Sequence, residues 1–203
     1  ALKSGEYIKP ENGVLDLLIE SNKPENANKP FFLILDEMNM SYVERYFADF
    51  LSAMESHEPI ALWEKCNNEN DCCKNYVPER IGLSNNLFII GTINVDETTY
   101  MFSPKVLDRA NVIEFKISID EMAEFLDGVK QVDCSSICGN AAGMGADFVR
   151  LTNCKEFENG KATAEILKAF FTELKSVNAE FGYRSATEIF RFISLTHKND
   201  DTA

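Results

Sequence analysis

The stretch that decides the fold is Phe31–Asn39, FFLILDEMN. Five apolar residues run directly into two adjacent carboxylates and an amide. A run of that length and ending reads as a fully buried strand that delivers acids at its carboxyl end. Open α/β sheets bind their ligands at that edge, which makes Asp36 and Glu37 candidates for chemistry. In a phosphate-handling site one such acid can hold Mg²⁺, directly or through water, and a second can orient a nucleophilic water. The plainer reading is a strand that stops at a solvated acidic turn, and this stretch alone does not choose between them.

Upstream, Gly13–Glu20 has the apolar spacing of a short helix, and Ser21–Pro30 (SNKPENANKP) is a turn-rich connector into the strand. Downstream, Ser41-Tyr42-Val43-Glu44 has the form of a capping box. Val43, Phe47, Phe50, Leu51 and Met54 then recur at helical spacing, which predicts a helix of about four turns. Strand, acids and helix in that order make half of a βαβ unit.

Pro59–Trp63 is a short strand candidate, followed by a polar loop at Cys66–Tyr76. Its cysteines and His57 raise the question of zinc, but adjacent Cys72 and Cys73 fit none of the paired ligand spacings, so a variable surface loop is the expectation. Leu87–Thr92 (LFIIGT) is a second apolar strand ending in polar residues, Thr92, Asn94, Asp96 and Glu97. An amide such as Asn94 just past that strand can hydrogen-bond a water or a phosphate oxygen, or satisfy a local turn. Ser103-Pro104 opens a short helix ending at Arg109, and Val112–Phe115 is a third strand candidate.

From Ser118 the pattern becomes helical. Ser118–Glu121 is a capping box for a helix to about Gln131, and residues 132–147 read as a Cys-, Gly- and Ala-rich loop. Lys161–Phe181 is strongly amphipathic, and Ser185-x-x-Glu188 is expected to cap a last helix. The expected organisation is an α/β region over 1–116 and a small all-α domain over 117–203.

Net charge is −13 and the pI lies near 4.6, so the surface is no electrostatic footprint for nucleic acid. No apolar run approaches the length of a membrane span. The six cysteines, unevenly spaced in a chain without a secretory leader, suit reduced thiols in a cytoplasmic protein. Because the chain starts at Ala1 instead of Met, its true N-terminus is expected upstream.

Taken together these motifs resemble the AAA+ ATPases. FFLILDEMN resembles a Walker B strand, GTINVDETT a sensor-1 strand, and SPKVLDRANVIEF an arginine-finger helix. DEMN followed by FLSAME, then GTIN, LDRANVIEF and a late FGYRSATEI is similar to the McrB-type branch, the motor subunits of modification-dependent restriction systems. The resemblance spans roughly residues 5–195. It implies a partial P-loop NTPase core with parallel strands followed by a helical lid, hydrolysing ATP or GTP. By position, Asp36 resembles the Mg²⁺-side acid, Glu37 the acid orienting the hydrolytic water, and Asn94 the sensor-1 asparagine. Arg109 resembles the finger that reaches a neighbour's γ-phosphate, and Arg184 the lid arginine. A homo-oligomeric, hexameric ring, an endonuclease subunit as partner, and DNA contact through other domains are implied as well, and no membrane.

Two departures stand out. The McrB-type Asn-Thr-Ala-Asp signature is here Asn94-Val95-Asp96-Glu97, and no GxxxxGK[ST] occurs in the 203 residues. The glycines in Cys138–Gly145 (CGNAAGMG) are followed by Ala146-Asp147 and cannot supply the lysine and hydroxyl of a phosphate loop. The chain alone is therefore expected to be inactive, with apolar sheet surfaces left uncovered. The alternative reading is a non-catalytic, AAA+-derived scaffold or interaction domain.

Overall fold

The computed structural model describes residues 2–3, 6–7, 11–63, 77–94, 100–129, 134–153 and 160–200. Two short strands, β1 (Leu2–Lys3) and β2 (Glu6–Tyr7), pair antiparallel ahead of helix α1 (Val14–Ser21). The connector then turns through a 3₁₀ segment at Pro24–Asn26 into β3 (Phe31–Leu35). Helices α2 (Val43–Tyr46) and α3 (Ala48–Ser56) follow, then β4 (Ile60–Ala61), β5 (Arg80–Ile81), β6 (Leu87–Gly91) and α4 (Pro104–Leu107). The chain continues with α5 (Ile119–Asp127), α6 (Gly145–Thr152), α7 (Lys161–Ser176) and α8 (Tyr183–Asp200). This is a mixed α/β protein: eight helices and one parallel two-stranded sheet among the described residues. It divides into two compact units, residues 1–146 and 147–203.

The sheet that matters for function is β3 beside β6. The two strands run parallel and in register, Phe31 opposite Leu87 through Leu35 opposite Gly91. Asn86 sets where they start. Its buried side chain donates to the carbonyls of Asn26 (2.8 Å) and Lys29 (3.0 Å), while its own carbonyl accepts from Phe31 N–H (2.8 Å). A buried amide satisfied in this way pins the connector to the first residue of the strand, so register follows from hydrogen bonding as well as from apolar pattern.

Leu33 is buried, and Leu35 and Ile89 pack against a core of Val43, Phe47, Leu51 and Val106. The other side of the sheet is open, with Phe32 45% and Ile34 63% exposed. The expectation of a fully buried strand is therefore corrected to burial on one side only. Two strands with helices on a single face cannot bury both sets of alternating side chains.

The helix expected from Val43 is two helices, because Phe47 leaves helical geometry (φ −109°, ψ 12°) to place its ring in the core, stacked on Phe50 at 4.5 Å. The capping box at Ser41 does not form. Tyr42 occupies the cap position, where its ring lies 4.0 Å from that of Tyr100 and under the Arg45 guanidinium. His57 closes α3 as a left-handed cap, its N–H donating to Ala53 O at 2.9 Å. Val112–Phe115 is not a strand, and it pairs with no strand among the described residues. Residues 132–147 include a 3₁₀ turn at Ser135–Ile137 and the start of α6, and α8 begins at Tyr183, leaving Ser185 inside its first turn. The loop at 66–76 and Asp96-Glu97 lie outside the described residues.

The capping box at Ser118 does form. Ser118 Oγ accepts from Glu121 N–H at 3.2 Å, and a Glu121 carboxylate oxygen accepts from Ser118 N–H at 2.7 Å. The helix ends earlier than expected, at Asp127. The backbone bond, then the hydroxyl bond, holds the Glu121 carboxyl below its ordinary value of 4.5. A depressed carboxyl stabilises the fold above that ordinary value and stops doing so as pH falls through its own lower value. An NMR titration of the Ser118 and Glu121 amides is expected to give a midpoint below 4.5. A midpoint at or above it would contradict the box in solution.

Candidate functional site

The site is built where β3 and β6 end together. Thr92, one residue past β6, extends the ladder by donating its N–H to Leu35 O (3.0 Å), and its carbonyl accepts from Met38 N–H (2.9 Å). Its hydroxyl accepts from Glu37 N–H at 2.9 Å and donates to Asp36 Oδ1 at 2.5 Å. One threonine thus fixes the backbone and a side-chain oxygen of the acid pair.

Glu37 sits in the left-handed region (φ 48°, ψ 44°), a conformation that costs a non-glycine residue roughly 1–2 kcal/mol. The bonds from the Glu37 and Met38 amides to Thr92, at about 0.5–1.5 kcal/mol net each, are of the size needed to offset it. The kinked backbone turns Glu37 toward the end of β6, where Asn94 Nδ2 donates to Glu37 Oε1 at 3.1 Å.

Asn39 locks the turn from below. It is 4% exposed, donates Nδ2 to Asn94 O (2.8 Å), and its carbonyl accepts from Tyr100 N–H (3.0 Å). Its Oδ1 is buried without a partner among the described residues. A Cβ at Gly91 would meet the flexible Met38 side chain, which crosses the end of the strand.

Asp36, Glu37 and Asn94 thus come together, as the sequence suggested, and all three are exposed. Neither acid is ion-paired among the described residues. Arg109 is placed elsewhere. Its side chain is 10% exposed, and its guanidinium donates to Leu51 O (3.2 Å), to Lys105 O (2.6 Å) and to the Glu55 carboxylate. Arg184 is exposed in the first turn of α8, in the second unit. Thr92 and Asn39 were not assigned roles by sequence reasoning. A hydroxyl directly after an apolar strand was the available signal for the first, and the fourth residue of DEMN for the second.

For a cation, the donors on offer at the strand ends are hard oxygens: two carboxylates, a hydroxyl and an amide. That set suits Mg²⁺, which keeps several waters and needs only one or two protein carboxylates. Among the described residues no group of three or more His, Cys, Asp or Glu could enclose a metal, and Cys134 and Cys138 are free and exposed. No helix among them is long and apolar enough to cross a membrane.

Residues 116–203 match a family model described as a domain of unknown function (DUF8727). That match includes Arg184 and leaves out Asp36, Glu37, Asn94 and Arg109. No curated protein and no solved structure matches the chain.

Proposed function

We propose that the chain is the nucleotide-hydrolysing part of an AAA+ motor of the McrB-like branch, working on ATP or GTP in the cytoplasm. The observation that supports the reading is the parallel pairing of β3 with β6, which leaves Glu37 Oε1 3.1 Å from Asn94 Nδ2 at the common carboxyl end. A solvated turn has no need of an acid pair pinned by Thr92 and a second amide in contact with it.

In this reading Glu37 orients the attacking water and takes its proton, while Asn94 fixes the carboxylate and directs its free oxygen toward the water. Asp36 would hold Mg²⁺ directly or through water, and the bound ion would supply positive charge against the phosphates. Thr92 holds the Asp36 carboxylate and the Glu37 backbone, and Asn94 the Glu37 carboxylate, which limits reorganisation as charge develops. Arg109 acts across a subunit boundary in a hexameric ring, after exchanging its bond to Glu55 for a phosphate, and Arg184 contributes from the lid. An endonuclease subunit, and DNA held through other domains, complete the proposal.

The engagement of Arg109 with Leu51, Lys105 and Glu55 favours a second reading, a non-catalytic scaffold in which this arginine only ties α4 to α3. The coding sequence upstream of Ala1 separates the two. A GxxxxGK[ST] loop in the same reading frame, with hydrolysis by the natural gene product, is the expected result. A start codon adjacent to Ala1 would overturn the motor in favour of the scaffold.

A further inference from the structure

In the turn from Asp36 to Ser41, Asn39 alone is buried, inside a 3₁₀ segment at Met38–Met40 that Glu37 opens. A buried amide is costly unless it is hydrogen-bonded. This one donates outside its own turn, across 55 residues of sequence, from Nδ2 to Asn94 O at 2.8 Å. Its main-chain carbonyl accepts from Tyr100 N–H at 3.0 Å. Residue 39 therefore holds the chain at Asn94 through its side chain and at Tyr100 through its backbone. The side-chain bond falls on the residue whose own amide reaches Glu37, since Asn94 Nδ2 donates to Glu37 Oε1 at 3.1 Å. Asn94 is exposed, so packing does little to orient it. Packing does not explain Asn39 either. Its Oδ1 has no donor among the described residues, and an apolar side chain would fill a core position without leaving an acceptor unpaired. What the amide adds over an apolar group is the single bond to Asn94.

We propose that Asn39 is a positioning residue for hydrolysis, fixing the Asn94 backbone so that the Asn94 side chain meets the Glu37 carboxylate. The proposal rests on the reading of Glu37 as the base that orients water. The Asn94 peptide plane is held at its carbonyl by Asn39, and the Asn94 side chain projects from that plane toward Glu37 Oε1. Released from Asn39, Asn94 turns with its own backbone, and Glu37 loses the contact that directs its second oxygen. A misplacement of about 1 Å in a catalytic constellation can cost about 10²-fold in rate, so one such bond is enough to matter. Asn39 itself touches neither the water nor the nucleotide in this arrangement. Its whole effect passes through Asn94, and it falls on kcat because the contact it supports is used in the transition state.

A double-mutant cycle on the hydrolysing natural gene product tests this, with Asn39→Leu, Asn94→Ala and the two combined. Asn39→Leu keeps a side chain branched at Cγ and leaves the main-chain bond to Tyr100 in place; Asn39→Ala, which adds no bulk, guards against overpacking by leucine. Assays run below the melting temperature of every variant. Asn39→Leu, Asn39→Ala and Asn94→Ala are each expected to lower kcat by roughly ten- to a hundredfold. KM is expected to move by less than about threefold. In the Asn94→Ala background the change at residue 39 is expected to cost no more than about twofold further, because the partner through which it acts is already gone. Losses that multiply would make Asn39 a structural residue independent of Asn94 and overturn the proposal. Full kcat in both Asn39 variants, with Asn94→Ala impaired, would overturn the positioning role and leave the Glu37–Asn94 reading standing. Full kcat in Asn94→Ala would overturn both. One measurement needs no variant: in the 203-residue chain the Asn39 side-chain NH₂ is expected to exchange with solvent more slowly than that of a free asparagine. Exchange at the free rate would rule out the bond to Asn94 on which the proposal depends.

Discussion

Glu37→Gln in the hydrolysing natural gene product is expected to lower turnover by roughly 10²–10⁴-fold, the usual contribution of a positioned general base. Nucleotide affinity is expected to change by less than about threefold, since an interaction confined to the transition state leaves ground-state binding alone. The substitution preserves shape and removes basicity. The amide oxygen can still accept from Asn94 Nδ2, so the 3.1 Å contact can persist. The left-handed backbone at residue 37 rests on the bonds from the amides of Glu37 and Met38 to Thr92, which the side-chain change does not touch. A melting temperature equal to the parent's is therefore part of the prediction. Turnover and nucleotide binding, measured on the same preparation by phosphate release and calorimetry, decide the matter. Undiminished turnover would remove Glu37 from the role of base. Equal losses in turnover and binding would recast it as a structural residue of the turn.

The parts of this site that were legible in the sequence are those set by short-range pattern. An apolar run ending in acids, and a second ending in Thr92 and Asn94, suffice to place two strand ends. What the pattern does not contain is the register between them. The Thr92 hydroxyl meets Asp36 and Glu37 only because Leu35 stands opposite Gly91, where the Met38 side chain crosses. Local motifs also yielded to packing. Ser41 and Glu44 have the form of a cap, but the cap falls one residue later, at Tyr42, whose ring packs tilted against that of Tyr100. Val112–Phe115 illustrates the reverse. Its alternation is a sound local preference, and the segment still pairs with no strand among the described residues. It was the resemblance, not the local pattern, that implied an outward reach for Arg109. The carbonyls of Leu51 and Lys105 and the Glu55 carboxylate turn it inward, and three such acceptors lying 4 to 58 residues away in sequence leave no linear signature.

The largest effect on stability is expected from Phe47→Ala. Phe47 is 5% exposed at the centre of the core formed with Val43, Leu51 and Val106, and its ring stacks on Phe50. Truncating a buried Phe costs about 3–5 kcal/mol, counting both lost transfer energy and the cavity left behind. Domain stability is about 5–15 kcal/mol, so the loss is a large fraction of the whole. With a urea slope of about 1–3 kcal/mol/M, the midpoint for the first unit should fall by at least about 1 M. The effect should reach the site, because Met38 and Leu35, which flank the acid pair, pack against that same cluster. Loosening them frees the turn that presents Glu37 to Asn94. Phe32→Ala is the control. Phe32 lies on the same strand as Leu35 but on its open face, 45% exposed, with Phe88 as a ring neighbour at 5.6 Å. Partial exposure sets its expected loss at about 1 kcal/mol or less. Urea unfolding followed by tertiary-structure signals separates the two. If Phe32→Ala proves as damaging as Phe47→Ala, the open face of the sheet is covered in solution and the one-sided core described here is wrong.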